Sequence, residues 1–217
     1  MQADFWKERW QRNEIGFHQE DFNPLLQKYW PGLGVAPGAR VFVPLCGKSR
    51  DMLWLAAQGH PVLGIEIVEL AVRAFFDENG MTPTIVEQRP FQRYQAGDIA
   101  LLLGDFYSLA PADLAGVGGV YDRAALIALP PSQRGAYVAK LAEVLPARVE
   151  MLLLSVTYPQ EQMQGPPFSV PEGEVRELYE EHFTVERLMQ RDALARNPRF
   201  RARGLRSMSA EAYHIRR

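Results

Sequence analysis

The chain has 217 residues, of which 47% are hydrophobic, 11% aromatic and 23% charged, with a formal net charge of −2. This composition supports one folded domain with a sizeable apolar core, and the near-neutral charge gives no electrostatic reason to expect nucleic acid or an anionic membrane as partner. A single cysteine, Cys46, excludes an intramolecular disulfide and fits a cytoplasmic setting. The first ten residues lack the apolar segment of a signal peptide, and no stretch is apolar for long enough to span a bilayer.

In chain order, Asp4 to Asn13 places Phe5/Trp6 and Trp10 at helical spacing, and a second short helix is expected over Pro24 to Trp30. Arg40 to Leu45 is a β-branched run after the turn Pro37-Gly38. Ser49 is a candidate cap for a helix through Met52, Leu53, Leu55 and Ala56 that stops at Gly59. Val62 to Ile67 is the next strand, followed by a helical stripe of Leu70, Ala74 and Phe75, with Val72 and Phe76 alongside, that ends at Gly80. Ile99 to Leu103 and Gly119 to Asp122 are further strands. Val138, Leu141, Ala142 and Leu145 mark a helix face before a strong strand over Met151 to Tyr158. Ser169 and Glu172 have capping-box spacing ahead of a helix over Pro171 to Glu181. Two last strands, Thr184 to Arg191 and Arg203 to Ile215, have no crossover helix between them and should form an antiparallel hairpin at the sheet's edge. Buried strands alternating with helices predict an α/β fold with a mostly parallel sheet covered on both faces. Seven strands with a reversed last hairpin is the class I methyltransferase, Rossmann-like arrangement. The expected division is a helical cap over residues 1–35 and a core over 36–217.

In such a sheet ligands bind at the carboxyl ends of the strands. After the first strand, Gly47 lets the backbone pass close to a ligand, although one glycine stands where a dinucleotide fingerprint has three. Glu66, an acid in an otherwise apolar strand, follows at nearly the spacing of a ribose-binding carboxylate and could accept both vicinal hydroxyls. After the third strand, Asp105 and Phe106 offer an acid and an aromatic ring for an adenine. After the fourth, Arg123 is either a surface ion pair with Asp122 or a guanidinium at the mouth of the site. Cys46 reads as a packing residue. The four histidines, His18, His60, His182 and His214, are scattered without metal-ligand spacing, so no metal site is expected. Arg191, Arg196, Arg199, Arg201, Arg203 and Arg206 read as a solvated loop, one or two of them folding over a small ligand.

Three sets of residues stand out: Val41-Phe-Val-Pro-Leu-Cys-Gly-Lys-Ser49 with Gly59-His60 and Val62-Leu-Gly-Ile-Glu-Ile67; Gly16-Phe-His-Gln-Glu20 with Tyr121-Asp-Arg-Ala-Ala-Leu126; and Gly165-Pro-Pro-Phe-Ser-Val-Pro171. Together they resemble the thiopurine S-methyltransferase family in its bacterial form. The blocks span most of the chain in order. The resemblance implies S-adenosylmethionine as methyl donor and a small thiol, or a selenium or tellurium compound, as acceptor. It implies that Trp10, with Trp6 nearby, and Leu45 contact the donor, and that Glu66 holds its ribose while Asp105 and Phe106 flank its adenine. Arg123 is then placed beside both reactants, stabilising a thiolate-like acceptor. Phe17 lines the acceptor pocket, with the Pro166-Pro167-Phe168 loop and Arg199 covering it. A cytoplasmic monomer is expected. An O- or N-methyltransferase, an NAD-linked oxidoreductase and a non-enzymatic adenosine-ligand sensor are the competing readings.

Overall fold

The computed structural model describes residues 3–195 and 197–217, so Arg196 lies outside the described residues. Nine strands form one sheet: β1 (Arg40–Val43), β2 (Val62–Glu66), β3 (Thr84–Gln88), β4 (Phe91–Ala96), β5 (Ile99–Leu103), β6 (Val117–Arg123), β7 (Glu150–Thr157), β8 (Thr184–Asp192) and β9 (Ser209–Arg216). The helices are α1 (Ala3–Gln11), α2 (Pro24–Tyr29), α3 (Asp51–Ala57), α4 (Glu69–Glu78), α5 (Pro131–Val144), α6 (Glu172–Tyr179) and α7 (Pro198–Ala202). Sheet order is β3-β4-β5-β2-β1-β6-β7-β9-β8. The five central strands, β5 to β7 in that order, run parallel. Their apolar runs need no alternation because both faces are covered. Phe42, Leu63, Val120 and Met151 pack with Tyr137 and Leu141 of α5 and Val175 of α6. On the opposite face Val41, Val43 and Leu152 pack with Leu26 of α2, Met52 of α3 and Phe75 of α4.

Seven strands were expected; the hairpin β3–β4 raises the count to nine. All five residues of β3 are exposed, and β4 buries only Phe91 and Tyr94. An edge hairpin with so little apolar surface carries no hydrophobic period to read. The last hairpin is antiparallel, but β9 is the inner strand, pairing with both β7 and β8, and only β8 forms the edge. The ninth strand begins at Ser209 rather than Arg203, because Leu205 and Met208 instead pack with Phe200 in a small separate cluster. In α4 the buried face is Ala71, Val72, Phe75 and Phe76, while Leu70 is 48% exposed. Ser169 does not cap α6: its Oγ accepts from Tyr158 N at 3.0 Å, and Pro171 precedes the helix with no side-chain cap. Ser49 stands one residue outside the cap of α3, which is Arg50 with no side-chain cap bond, although its Oγ accepts from Asp51 N at 3.4 Å. No helix among the described residues is long and apolar enough to cross a membrane.

Candidate active site

Between β1 and its neighbour β6 the order of strand connection reverses, and there the loops at the carboxyl ends of β1, β2 and β6 splay apart. They enclose a cavity of about 390 Å³, roofed by the N-terminal segment and walled on the far side by β7–β9 and the chain around α7. Trp10, Phe17, Leu45, Gly47, Glu66, Arg123 and Arg199 all line it.

Glu66 ends β2 and is only 7% exposed. Its Oε2 accepts from Gly47 N at 2.9 Å, while Oε1 accepts from Ile67 N at 2.8 Å and Val68 N at 2.9 Å. Burial pushes the carboxyl above its ordinary range, and the three N–H groups pull it back. A carboxylate has about four acceptor positions. Three are taken, so a ribose can donate one hydroxyl freely and the second only by sharing a position with the backbone. This narrows the sequence expectation of two free contacts.

Gly47 stands at φ +53°, and a Cβ added there would approach Trp10 Cζ2 to 3.3 Å. The close indole and the left-handed backbone both favour glycine. Gly47→Ala should therefore lose about 1–2 kcal/mol of stability, which urea unfolding would measure; an unchanged midpoint would contradict it. Leu45 and Ala124, at φ +46° and +61°, are left-handed without being glycine, and both line the cavity. Such strain concentrates where surrounding structure over-determines the backbone, as at binding sites.

Trp10 is 6% exposed, packed with Ala71 of α4 and with Val68 just before it, and its ring meets Phe17 edge-on at 5.9 Å. Trp6 also contacts Phe17, at 6.1 Å between ring centroids. Arg123 is not a surface pair with Asp122. Its Nη2 donates to Phe17 O at 3.0 Å, and Nη1 lies 3.7 Å from Asp51 Oδ2. Asp51, which the sequence did not single out, accepts from Asn23 N at 2.7 Å and from the Tyr121 hydroxyl at 2.9 Å. It thus ties α3, β6 and the start of α2 behind the guanidinium. Arg199 Nη1 donates to Gly16 O, one residue before the carbonyl held by Arg123. Burial and the nearby Arg203 and Arg123 hold the Arg199 guanidinium below its ordinary pKa. Arg191 and Arg203 also line the cavity, whereas Arg201 and Arg206 are exposed outside it.

Asp105 and Phe106 are not among the cavity residues. Asp105 Oδ1 accepts from Tyr107 N at 3.0 Å, capping a short 3-10 turn. The Phe106 ring is 2% exposed and lies 4.9 Å from Tyr137 in the core, so it offers no free face for an adenine. Pro166 and Pro167 line the cavity; Phe168 packs outward under Arg134 instead. Cys46 is 6% exposed and nests against Gly64, where a Cβ would come within 2.7 Å of its Sγ. Burial and Glu66 push its thiol well up, so the sulfur stays protonated and is no nucleophile. His18 and Lys48 are further cavity residues without an assigned role in the sequence; Lys48 pairs with Glu78 at 2.6 Å. Among the described residues no group of three or more His, Cys, Asp or Glu could hold a metal.

Residues 1–217, the full chain, match the family model described as Thiopurine S-methyltransferase (TPMT). The chain belongs to the thiopurine S-methyltransferase family. A thiopurine S-methyltransferase of Nitrosospira multiformis is 51% identical over 205 residues, 94% of this chain and 93% of its own. That of Azotobacter vinelandii is 48% identical over 217 residues, the whole of both chains. Among solved structures, a Burkholderia thailandensis 1,6-didemethyltoxoflavin-N1-methyltransferase with bound S-adenosylhomocysteine superposes with a TM-score of 0.64. It is 18% identical, over 98% of this chain and 86% of that one. An Anabaena variabilis SAM-dependent methyltransferase gives 0.65 at 14% identity, covering 99% and 94%. At such identities the structural likeness bears on the fold, which is that of class I methyltransferases. Membership of the family makes the chain a methyltransferase with S-adenosylmethionine as methyl donor. It displaces both the oxidoreductase and the binding-only readings. The anchored carboxylate of Glu66 and the cradle at Gly47 fit the adenosine part of that donor.

Proposed function

We propose that this enzyme transfers a methyl group from S-adenosylmethionine to the sulfur of a thiopurine or another small aromatic or heterocyclic thiol. Selenium and tellurium compounds are acceptors of the same kind, being softer nucleophiles toward a sulfonium. The observation that carries this reading is the position of Arg123, at the junction of two unlike halves of one cavity. On one side stand Glu66 and Gly47, suited to a nucleoside. On the other, Leu154, Val156, Phe200, Met208 and Ala210 make an apolar wall suited to an aromatic acceptor.

Methyl transfer from a sulfonium is an in-line displacement with a good leaving group, so alignment and exclusion of water supply most of the acceleration. Trp10, Leu45 and Gly47 fix the donor side, and Phe17, Pro167 and Arg199 confine the acceptor. Arg123, held by Asp51 and the Phe17 carbonyl, presents its charge to the sulfur as it ionises. Arg123→Ala should lower kcat/KM for a thiopurine at least tenfold, about 1.4 kcal/mol. Steady-state assay of the variant checks this; full activity would remove Arg123 from the mechanism. An oxygen acceptor keeps one observation in its favour, because an imidazole does line the cavity. A phenol assayed beside the thiol separates the two. The single, buried cysteine supports a reducing, cytoplasmic setting as the working one.

A further inference from the structure

His18 sits in the roof segment and lines the cavity with Phe17, Lys48 and Arg123. The segment is pinned there by Arg123 Nη2 donating to Phe17 O at 3.0 Å, and His18 N closes a local turn onto Ile15 O at 2.8 Å. The side chain is 11% exposed, and Glu20 Oε1, 3.7 Å from Nε2, is its carboxylate neighbour among the described residues. No hydrogen bond to another described side chain occupies either ring nitrogen. A polar ring that faces a cavity without a partner is available to whatever enters.

We propose that His18 is the proton acceptor for the acceptor thiol. This rests on the S-methyltransferase reading above. The step balances without a further reactant. A ring nitrogen takes the proton of the S–H group, and the sulfur's electron pair forms the new bond to the methyl carbon. The bond between that carbon and the sulfonium sulfur breaks, its pair staying on the leaving thioether. The imidazolium then returns its proton to water through its exposed edge.

Four charged groups face the ring. Lys48, in the loop after β1, and Arg123, at the end of β6, disfavour its charging; Glu20, in the same segment, and Glu78, at the end of α4, favour it. Burial and Lys48 prevail, holding the imidazole below its ordinary value, so that it is neutral with a lone pair free at neutral pH. The thiolate formed beside it then stabilises the imidazolium, as in a cysteine–histidine pair, while Arg123 faces the same sulfur.

The test compares wild type and His18→Gln on two thiols. Phenylmethanethiol is protonated at neutral pH, and a nitrothiophenol is already a thiolate. His18→Gln should lose about 100-fold in kcat/KM on phenylmethanethiol, the scale of general-base assistance. It should stay within about twofold on the nitrothiophenol. An unchanged affinity for S-adenosylhomocysteine checks that the variant is folded. Independently of turnover, the His18 C2-proton NMR resonance should titrate below the ordinary histidine range in the S-adenosylhomocysteine complex. It should move upward when the nitrothiophenolate binds. Equal losses on both thiols, or no loss on either, would overturn the role of His18 alone. A wild type that methylates neither thiol yet binds S-adenosylmethionine would overturn the S-acceptor reading, and this proposal with it.

Discussion

Glu66→Ala should weaken S-adenosylmethionine binding at least 100-fold, about 2.7 kcal/mol, by isothermal titration calorimetry. The carboxylate does two things at once. It offers an acceptor to a ribose hydroxyl, and through Gly47, Ile67 and Val68 it fixes the loop after β1 against the loop after β2. Alanine removes the first and leaves three N–H groups of the site without their partner, each costing about 1–3 kcal/mol where water does not replace it. Glu66→Gln separates the two roles. Its carbonyl oxygen still accepts, but its amide nitrogen faces one of the donor positions, so at least one backbone bond is lost. The variant should fall between wild type and alanine. Affinity within twofold of wild type in Glu66→Ala would move the nucleoside site elsewhere.

Asp122 should make the protein lose stability as pH rises from about 4 to about 6, by about 3 kcal/mol. The residue is wholly buried beside Arg123, and burial pushes its carboxyl up to about 6 despite bonds from the Tyr137 hydroxyl at 2.7 Å and Leu126 N at 3.2 Å. Its unfolded value is about 3.9. Between these two values the native state holds a proton that the unfolded chain has released, so stability is fully present below the lower value and is lost through the upper one. An Asp122→Asn side chain is neutral at every pH and can keep both contacts, its oxygen accepting from Leu126 N and its amide donating to the Tyr137 oxygen. Urea unfolding of both proteins across this range should give curves that diverge by about 3 kcal/mol, the variant being favoured toward neutral pH. Parallel curves would mean that Asp122 folds in already ionised.

The central sheet was legible because its strands are buried on both sides and announce themselves as unbroken apolar runs. Glu66 and Gly47 were legible for the related reason that an acid and a left-handed glycine are anomalies at the ends of such runs. Side-chain direction was not. Asp105 and Phe106 follow β5 as expected, but the 3-10 turn takes one carboxylate position for its own cap and sends the ring into the core, and neither residue lines the cavity. Nor was convergence across the chain. Asp51 meets Asn23 and Tyr121, and Arg123 meets Phe17, at sequence separations of 28, 70 and 106 residues. His18 reads as one scattered histidine among four until the N-terminal segment is laid across the cavity. The β3–β4 hairpin was invisible for the opposite reason, having almost no buried face to pattern.

The roof over the cavity is fastened through its backbone: Arg123 and Arg199 reach it at the carbonyls of Phe17 and Gly16, not at its side chains. A grip of this kind is indifferent to which residues the roof carries. Divergence can therefore exchange roof side chains that take no part in packing or chemistry, while two arginines elsewhere in the chain and the buried Trp10 maintain closure. At Gly16 a Cβ would come into contact with Arg199 Nη1, at 3.4 Å. In a lineage adapting to new thiols, drift should be tolerated at roof positions other than Trp10, Phe17 and His18 and resisted at the clasps.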